Sequence, residues 1–272
     1  TYVGSCKARE LAGIVAQDEA DTIVVDDDLP PSQRRALEDA TKVKVVDRTA
    51  VILDIFAQHA TSREGKAQVE LAQLEYMLPR LRKRKKTKKN KTGEQEKDDA
   101  GIGSRGPGET KIEMDRRVIR SRIAKLRRQI AQMAPARDVK RGARRRFGLP
   151  TVAVVGYTNA GKSSLTNRLT GSAELVENAL FATLDTAVRR AKAKDGRLYA
   201  YVDTVGFVRR LPTQLIEAFK STLEEVADAD LIVHVVDGSH PDPFSQIDAV
   251  NDVLSDIDGV ETIPTIVAFN KA

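Results

Sequence analysis

The stretch TVAVVGYTNAGKSSLTNRLT, residues 151–170, decides the fold of the second half of the chain. Its first residues form an apolar run that is typical of a buried parallel strand. Residues 156–163, GYTNAGKS, fit the pattern G-x-x-x-x-G-K-[ST], and the helical segment SLTNRLT follows them. A strand, a glycine-rich loop and a helix in this order are the context that a phosphate-binding loop requires. The sequence therefore predicts a P-loop.

The residue types of this loop suit a phosphate. Its glycines let backbone N–H groups wrap the ligand, and the helix N-terminus adds its positive end. Lys162 is predicted to reach the β- and γ-phosphates, and Ser163 is predicted to ligate Mg²⁺. The predicted phosphate-binding residues are Gly156, Tyr157, Thr158, Asn159, Ala160, Gly161, Lys162 and Ser163.

Two segments downstream have the residues that would complete such a site. The strand LYAYVD ends in DTVG, where the carboxylate of Asp203 can hold the magnesium shell through water and the N–H of Gly206 can sense a γ-phosphate. Between loop and strand lies FATLD, residues 181–185, on a predicted mobile loop, where Thr183 is placed to close on Mg²⁺ and γ-phosphate or is an ordinary loop threonine. The other predicted nucleotide contacts of these segments are Phe181, Ala182, Leu184, Asp185, Thr204 and Val205.

A last strand, TIVAFNK, places Asn270 and Lys271 where a guanine-reading N-K-x-D motif would be. The chain stops at Ala272, one residue before that aspartate. Together with LIVHVVD, these strands alternate with two amphipathic patterns, which predicts a doubly wound α/β domain over residues 148–272, expected to be incomplete at its C-terminal end. The two helical patterns comprise Ile216, Phe219, Leu223 and Val226, then Phe244, Ile247, Val250, Leu254 and Ile257.

The first half of the chain has a different organisation. Residues 1–48 are predicted to be a small α/β subdomain, with strands TIVVD and KVKVVD flanking a helix over residues 31–40. A further strand near residues 1–4 is expected to join the same sheet. Residues 49–147 are predicted to form a helical hairpin, because two series of apolar residues repeat at heptad spacing. The series are Ala67, Leu71, Leu74, Leu78 and Leu81, then Ile119, Ile123, Leu126, Ile130 and Met133.

The predicted tip of this hairpin contains GIGSRGPGET, residues 101–110, which includes the pattern G-x-G-x-x-G. A dinucleotide-binding turn would need a strand before these glycines, whereas KNKTGEQEKDDA precedes them. Instead, the length and the glycines of the segment favour an RNA-probing tip, the alternative being a plain connection between helices.

The net charge of +6 is unevenly distributed. Residues 1–150 hold 34 Lys and Arg against 22 Asp and Glu, whereas residues 151–272 hold 11 against 17. A basic run is often only a solvated surface, but nine basic residues and no acidic one within residues 80–91 favour binding of a polyanion, which we expect to be nucleic acid. The predicted RNA contacts are Arg105, Lys83, Arg84, Lys85, Lys86, Lys88 and Lys89.

Cysteine content and hydropathy limit the cellular context. The lone cysteine, Cys6, excludes an intramolecular disulfide and is expected to be a buried thiol, and no run of about 18 apolar residues predicts a membrane span. We expect a cytoplasmic, monomeric protein. Because the chain opens on Thr1, we expect a piece of a longer protein without a visible export signal.

The order GYTNAGKS, FATLD, DTVGF and NK resembles the translation-factor class of P-loop GTPases. Joined to DRTAVILDIFAQHATSREGKAQVELAQLEYMLPRL, residues 47–81, and RGPGETKIEMDRR, residues 105–117, it resembles the HflX family of ribosome-associated GTPases over nearly the whole chain. The sequence departs from that family at Cys6, where glycine is usual, and in its Lys-rich tip.

The resemblance implies a Mg²⁺-dependent GTPase that docks on the large ribosomal subunit and splits stalled or idle ribosomes under stress. It implies that Ser163 and Thr183 hold magnesium, that residues 203–206 sense the γ-phosphate, and that Asn270 and Lys271 bind guanine. Many GTPases have glutamine after the D-x-x-G glycine, where this chain has Phe207, so slow intrinsic hydrolysis is expected.

No catalytic residue is identified beyond the candidates Thr183 and Gly206. The alternative is a GTP-gated RNA-binding factor that acts in ribosome assembly without needing turnover.

Overall fold

The computed structural model describes residues 2–81, 111–171, 181, 187–193, 196–209 and 220–272. The N-terminal part contains α1 (Ser5–Gln17), β1 (Thr22–Val25), α2 (Pro31–Thr41) and β2 (Lys44–Asp47). The two strands pair in parallel with Thr22 opposite Lys44, as a crossover through a helix requires. Pro31 begins α2, a position where its missing N–H leaves no helical hydrogen bond unmade. The predicted β-α-β unit is confirmed.

Two predictions for the N-terminus are wrong. Residues 2–4 form no strand, because the chain enters α1 directly after Gly4, its extended N-cap. The helix forms because Ala8, Leu11 and Val15 share one face, which packs on the small core of this unit. Cys6 lies on the opposite side of α1 and is exposed, so it is not a buried thiol.

A helical region follows, with α3 (Arg48–His59), α4 (Arg63–Met77), a 3₁₀ turn (Leu78–Arg80) and α5 (Lys111–Arg146). The carboxylate of Asp47 caps α3 through the backbone N–H of Ala50 at 3.0 Å, and the hydroxyl of Ser62 caps α4 through the N–H of Gly65 at 2.8 Å. These side chains satisfy backbone donors that the first helical turn leaves unpaired.

Helices α4 and α5 pack along the two predicted heptad series. Eight of the ten residues form one apolar cluster: Ala67, Leu71, Leu74, Leu78, Ile119, Ile123, Leu126 and Ile130. Leu81 is not part of α4, which ends at Met77 and is followed by the 3₁₀ turn; Pro79 in that turn has no N–H to continue the α-helical hydrogen bonds. The guanidinium of Arg122 makes two bonds to Glu70, at 2.6 and 2.7 Å, and Arg127 pairs with Glu75 at 2.8 Å.

The C-terminal part is built on a five-stranded sheet in the order β4-β5-β3-β6-β7. Its elements are β3 (Thr151–Gly156), α6 (Lys162–Thr170), β4 (Ala187–Lys192), β5 (Leu198–Asp203), α7 (Lys220–Ala227), β6 (Leu231–Asp237), α8 (Pro243–Ser255) and β7 (Thr265–Asn270). All pairings are parallel except that of β4 with β5. The doubly wound α/β fold is confirmed, with the P-loop at the carboxyl end of the central strand.

The helical patterns of this domain hold in part. Leu223 and Val226 of α7 and Val250 and Leu254 of α8 are buried in one core, whereas Ile216 and Phe219 lie outside the described residues. Phe244 is 69% exposed because it lies in the first turn of α8, beyond the edge of the core. Within the described part of the chain, no helix is long and apolar enough to cross a membrane.

The packing of α4 against α5 predicts a large effect of truncating its most buried residue. Leu126 is 1% exposed, so we expect Leu126→Ala to lower the free energy of unfolding by about 2–5 kcal/mol through lost burial and a cavity. Val118 lies on the same helix but is 65% exposed, so Val118→Ala is the matched control, with a change within about 0.5 kcal/mol. Denaturant unfolding measures both, and equal effects would contradict the packing.

Candidate functional site

The loop between β3 and α6 depends on a glycine at position 161. Gly161 has φ +95, a conformation that residues with a side chain rarely adopt. A Cβ atom there would lie 2.1 Å from Nδ2 of Asn270, which donates to the carbonyl oxygen of Ala160 at 2.9 Å. The glycine therefore allows the end of β7 to close directly onto the loop.

Lys162 lies under the loop and is only 6% exposed. Its ammonium donates to the carbonyl oxygen of Tyr157 at 2.9 Å. Burial lowers the pKa of Lys162 to about 8, and the negative charge of Asp203 partly offsets this. Burial and the charge of Lys162 also lower the pKa of the neighbouring His234 to about 4, so this imidazole is neutral near pH 7. The lysine is a desolvated cation, which suits an anionic ligand.

The segment after β5 lies directly on the loop. Gly206 is so close that a Cβ atom there would be 2.9 Å from Cα of Thr158 and 3.1 Å from Nζ of Lys162. The N–H of Thr158 donates to the carbonyl oxygen of Phe207 at 2.8 Å, and the N–H of Phe207 donates to the carbonyl oxygen of Gly156 at 3.1 Å. The structure thus brings the predicted sensor glycine next to the predicted phosphate-binding lysine.

The side chains of the segment after β5 are buried in two different cores. The Phe207 side chain is fully buried among apolar residues of the sheet and of α7 and α8. Val205 and Val208 are buried instead in a core formed with α3 and α4. The Phe207 side chain has no hydrogen-bonding group and its ring is fully buried, so it cannot orient a water at the loop.

The other predicted site residues are brought together in part. Lys271 donates to the carbonyl oxygen of Asn159 at 2.6 Å and to Asp237 at 2.9 Å, so the N-K pair contacts the loop. Thr204 donates to the carbonyl oxygen of Val154 at 2.8 Å. The Phe181 ring packs in the core with α3 and α4, 4.5 Å from the centre of the Phe56 ring.

Several predicted residues lie outside the described residues. They are Ala182, Thr183, Leu184 and Asp185 of the loop, and Lys83, Arg84, Lys85, Lys86, Lys88, Lys89 and Arg105 of the hairpin tip.

Two residues at the loop, one with a hydroxyl and one with a carboxylate, have side chains that suit magnesium. Ser163 lies in the first turn of α6, and the buried Asp203 ends β5 close enough to affect the charge of Lys162. Among the described residues, no group of three or more His, Cys, Asp or Glu side chains is placed so that it could hold a metal ion. Magnesium typically keeps several waters and shares phosphate oxygens with few protein ligands, so a hydroxyl and a carboxylate suffice.

Sequence reasoning missed two polar groups of this region. Asp237, at the carboxyl end of β6, could have been found from its position, because ligand sites of open α/β sheets lie at that edge. Arg48 contacts the backbone of Arg209, 161 residues away, at 3.0 Å, and no local pattern signals such a contact.

Comparisons with known protein families cover the chain in three parts. A family model described as "GTP-binding GTPase N-terminal" matches residues 1–57, and "GTP-binding GTPase Middle Region" matches residues 59–144. A third, "50S ribosome-binding GTPase", matches residues 151–271.

Individual relatives agree with these matches. GTPase HflX of Caldanaerobacter subterraneus is 49% identical over 270 residues, and GTPase HflX of Escherichia coli is 44% identical over 270 residues. Each alignment covers 99% of this chain but only 61% or 62% of the relative. A crystal structure of SsGBP with GDP has 28% identity and a TM-score of 0.50, covering 99% of this chain and 70% of that one. The chain thus spans less than two thirds of these two HflX sequences.

The lowered pKa of Lys162 predicts how nucleotide affinity depends on pH. A bound phosphate favours the charged lysine, so the complex holds a proton that the free protein loses as pH rises through about 8. We expect GDP affinity to be constant from pH 7 to near 8 and then to fall, by at most about tenfold per pH unit. Calorimetric titration in this range measures it, with Lys162→Arg, which does not titrate, as the control. A flat wild-type profile would contradict the assignment.

Proposed function

This chain belongs to the HflX family of GTPases, and from this premise we propose that it binds GTP at residues 156–163 and hydrolyses it to GDP and phosphate. One observation carries the proposal: the buried ammonium of Lys162 lies between the loop and the glycine of the D-x-x-G segment. A cation held there faces the β- and γ-phosphates of a nucleotide that the loop encloses.

Each predicted residue has a separate task in this proposal. Lys162 neutralises phosphate charge. Backbone N–H groups within residues 156–163 bind the phosphate oxygens, except that of Thr158, which donates to Phe207. Ser163 and Thr183 would hold Mg²⁺ directly, and Asp203 would do so through water. The N–H of Gly206 contacts the γ-phosphate, which distinguishes GTP from GDP. When bound, Mg²⁺ supplies charge neutralisation at the β- and γ-oxygens.

Guanine recognition is assigned to Asn270 and Lys271. Both side chains are anchored on the loop backbone, at Ala160 and Asn159. This anchoring holds the carboxyl end of β7 at a fixed distance from the phosphate site. A base bound by the N-K pair is therefore in register with phosphates bound by the loop.

Hydrolysis is expected to be slow in the isolated protein. The fully buried ring of Phe207 occupies the position at which many GTPases have a water-orienting glutamine. Preorganised groups for the attacking water are then incomplete, with Thr183 and Gly206 as the remaining candidates. An external partner that completes the site would raise turnover.

We further propose that this partner is the large ribosomal subunit. The family model that matches residues 151–271 is described as a 50S ribosome-binding GTPase. Residues 1–48, 49–147 and 148–272 would act as an α/β subdomain, a hairpin with a basic tip, and a GTPase domain in a cytoplasmic monomer. The excess of basic residues in the first half suits ribosomal RNA. In this proposal, Arg105 and the lysines of the tip contact RNA, and GTP turnover splits stalled or idle ribosomes under stress.

A second candidate is a GTP-gated factor for ribosome assembly that needs no turnover. The same basic residues favour it, because an assembly precursor also exposes RNA. Binding to mature large subunits compared with assembly precursors, and dissociation of ribosomes with GTP compared with a non-hydrolysable analogue, separate the two. Dissociation only with hydrolysable GTP supports the first function.

Replacing Lys162 tests the proposed activity. We expect Lys162→Ala to weaken GTP binding roughly 10- to 150-fold, since a hydrogen bond to a charged group contributes about 1.5–3 kcal/mol. Titration of wild type and Lys162→Ala with GTP measures the affinity, and GTP and ATP hydrolysis, each with and without purified large subunits, measures the activity. Wild type should prefer GTP and be stimulated by subunits. Lys7→Ala is the control, because Lys7 is exposed on α1 and pairs with Glu10 of the same helix. Unchanged GTP affinity in Lys162→Ala would refute the site.

A further inference from the structure

The backbone of Arg209 is held from two sides. Its N–H donates to the phenol oxygen of Tyr157 at 3.3 Å, and its carbonyl oxygen accepts from the guanidinium of Arg48 at 3.0 Å. Tyr157 belongs to the P-loop, whereas Arg48 is the first residue of α3. Two parts of the chain that are far apart in sequence thus meet at the backbone of one residue, three positions after Gly206.

Arg48 is itself held in place by its surroundings. Its guanidinium also pairs with Asp26, at the end of β1, at 3.1 Å. The preceding residue, Asp47, is fully buried and accepts from the Tyr76 hydroxyl at 2.6 Å and from Arg80 at 3.3 Å, in addition to capping α3. Burial and this hydrogen bond to Asp47 raise the pKa of Tyr76 to about 12, so the phenol keeps its proton. These contacts therefore hold the start of α3 in a defined position.

Every residue between Gly206 and Arg209 has a defined contact. Phe207 is hydrogen-bonded to the loop backbone on both sides of Tyr157, and its ring is buried. Val208 is buried between the loop segment and α3 and α4. The two hydrogen bonds to Arg209 are the last polar contacts before residues 210–219, which lie outside the described residues. They fix the end of the segment that begins at Gly206.

We propose that Arg48 and Tyr157 are positioning residues for the γ-phosphate: by holding the backbone of Arg209 on both sides, they keep Gly206 beside Lys162 and so place its N–H for the phosphate. The inference rests on the proposed GTP hydrolysis. Donors that are already in place when charge develops on the phosphate need no reorganisation during the reaction. The first half of the chain then contributes directly to turnover, through a single arginine. GDP, which lacks the γ-phosphate, does not use this arrangement.

The test replaces each polar group with little change in volume. We expect Arg48→Met and Tyr157→Phe each to lower kcat about 5- to 20-fold, as the loss of one hydrogen bond implies, with KM changed less than kcat. GDP affinity should stay within about twofold, and the affinity for a non-hydrolysable GTP analogue should fall. Because both residues hold the backbone of Arg209, the double variant should lose less than the product of the two single losses.

Two further variants complete the design. Arg48→Lys keeps the charge but can reach only one of Asp26 and Arg209, so an intermediate kcat is expected, and it replaces Arg48→Met if that variant does not fold. Arg122→Ala, which removes an exposed guanidinium paired with Glu70, should behave as wild type.

The outcomes separate this inference from the proposed function. If wild type binds GTP and hydrolyses it while Arg48→Met and Tyr157→Phe match it, only the positioning role is wrong. A loss of GDP affinity equal to the loss of kcat, or a higher turnover in Arg48→Met, also overturns that role. If wild type binds neither nucleotide, the proposed function fails and the inference fails with it.

Discussion

The burial of Val205 and Val208 against α3 and α4 is the constraint on which the rest of the structure depends. These valines follow the carboxylate that ends β5, so the segment next to the P-loop is also part of the core of the helical region. The Phe181 ring joins the same core, 4.5 Å from the Phe56 ring. A densely packed core does not deform continuously, so a shift of either segment requires α3 and α4 to repack. A structural change at the candidate nucleotide site is therefore coupled to the packing of the helical region.

Ion pairs also connect the helical hairpin to the C-terminal domain. Near the end of α5, Arg141 pairs with Asp228 of the residues after α7 at 3.1 Å, and Arg144 pairs with Glu225 of α7. Further along the hairpin, α5 arginines pair with Glu70 and Glu75 of α4. The basic first half and the acidic second half of the sequence are therefore partly complementary to each other. Arginines that are paired in this way offer less charge to a polyanion than their number in the sequence suggests.

Much of the fold could be predicted, because its signals are local. The P-loop, four of the five strands of the large sheet and the α4–α5 packing follow from spacing and hydropathy over short windows. Strand β4, AVRRAK, was missed because an edge strand with charged residues has no apolar pattern. Helix α1 was missed because its buried face is short. The inward position of Phe207 and the contact of Arg48 with Arg209 depend on distant parts of the chain, which no local pattern encodes.

The most direct test is of the core that the segment after β5 shares with α3 and α4. Amide hydrogen exchange of α3 and α4 is measured in the protein saturated with GDP or with a non-hydrolysable GTP analogue. Exchange reports local opening, and a core shared with the nucleotide site should open differently when the γ-phosphate is bound. The account predicts a change of protection around Ile52 to Phe56 and around Val69 to Tyr76, with little change in α1, which packs on the separate N-terminal core. Identical exchange of α3 and α4 in both complexes would contradict it.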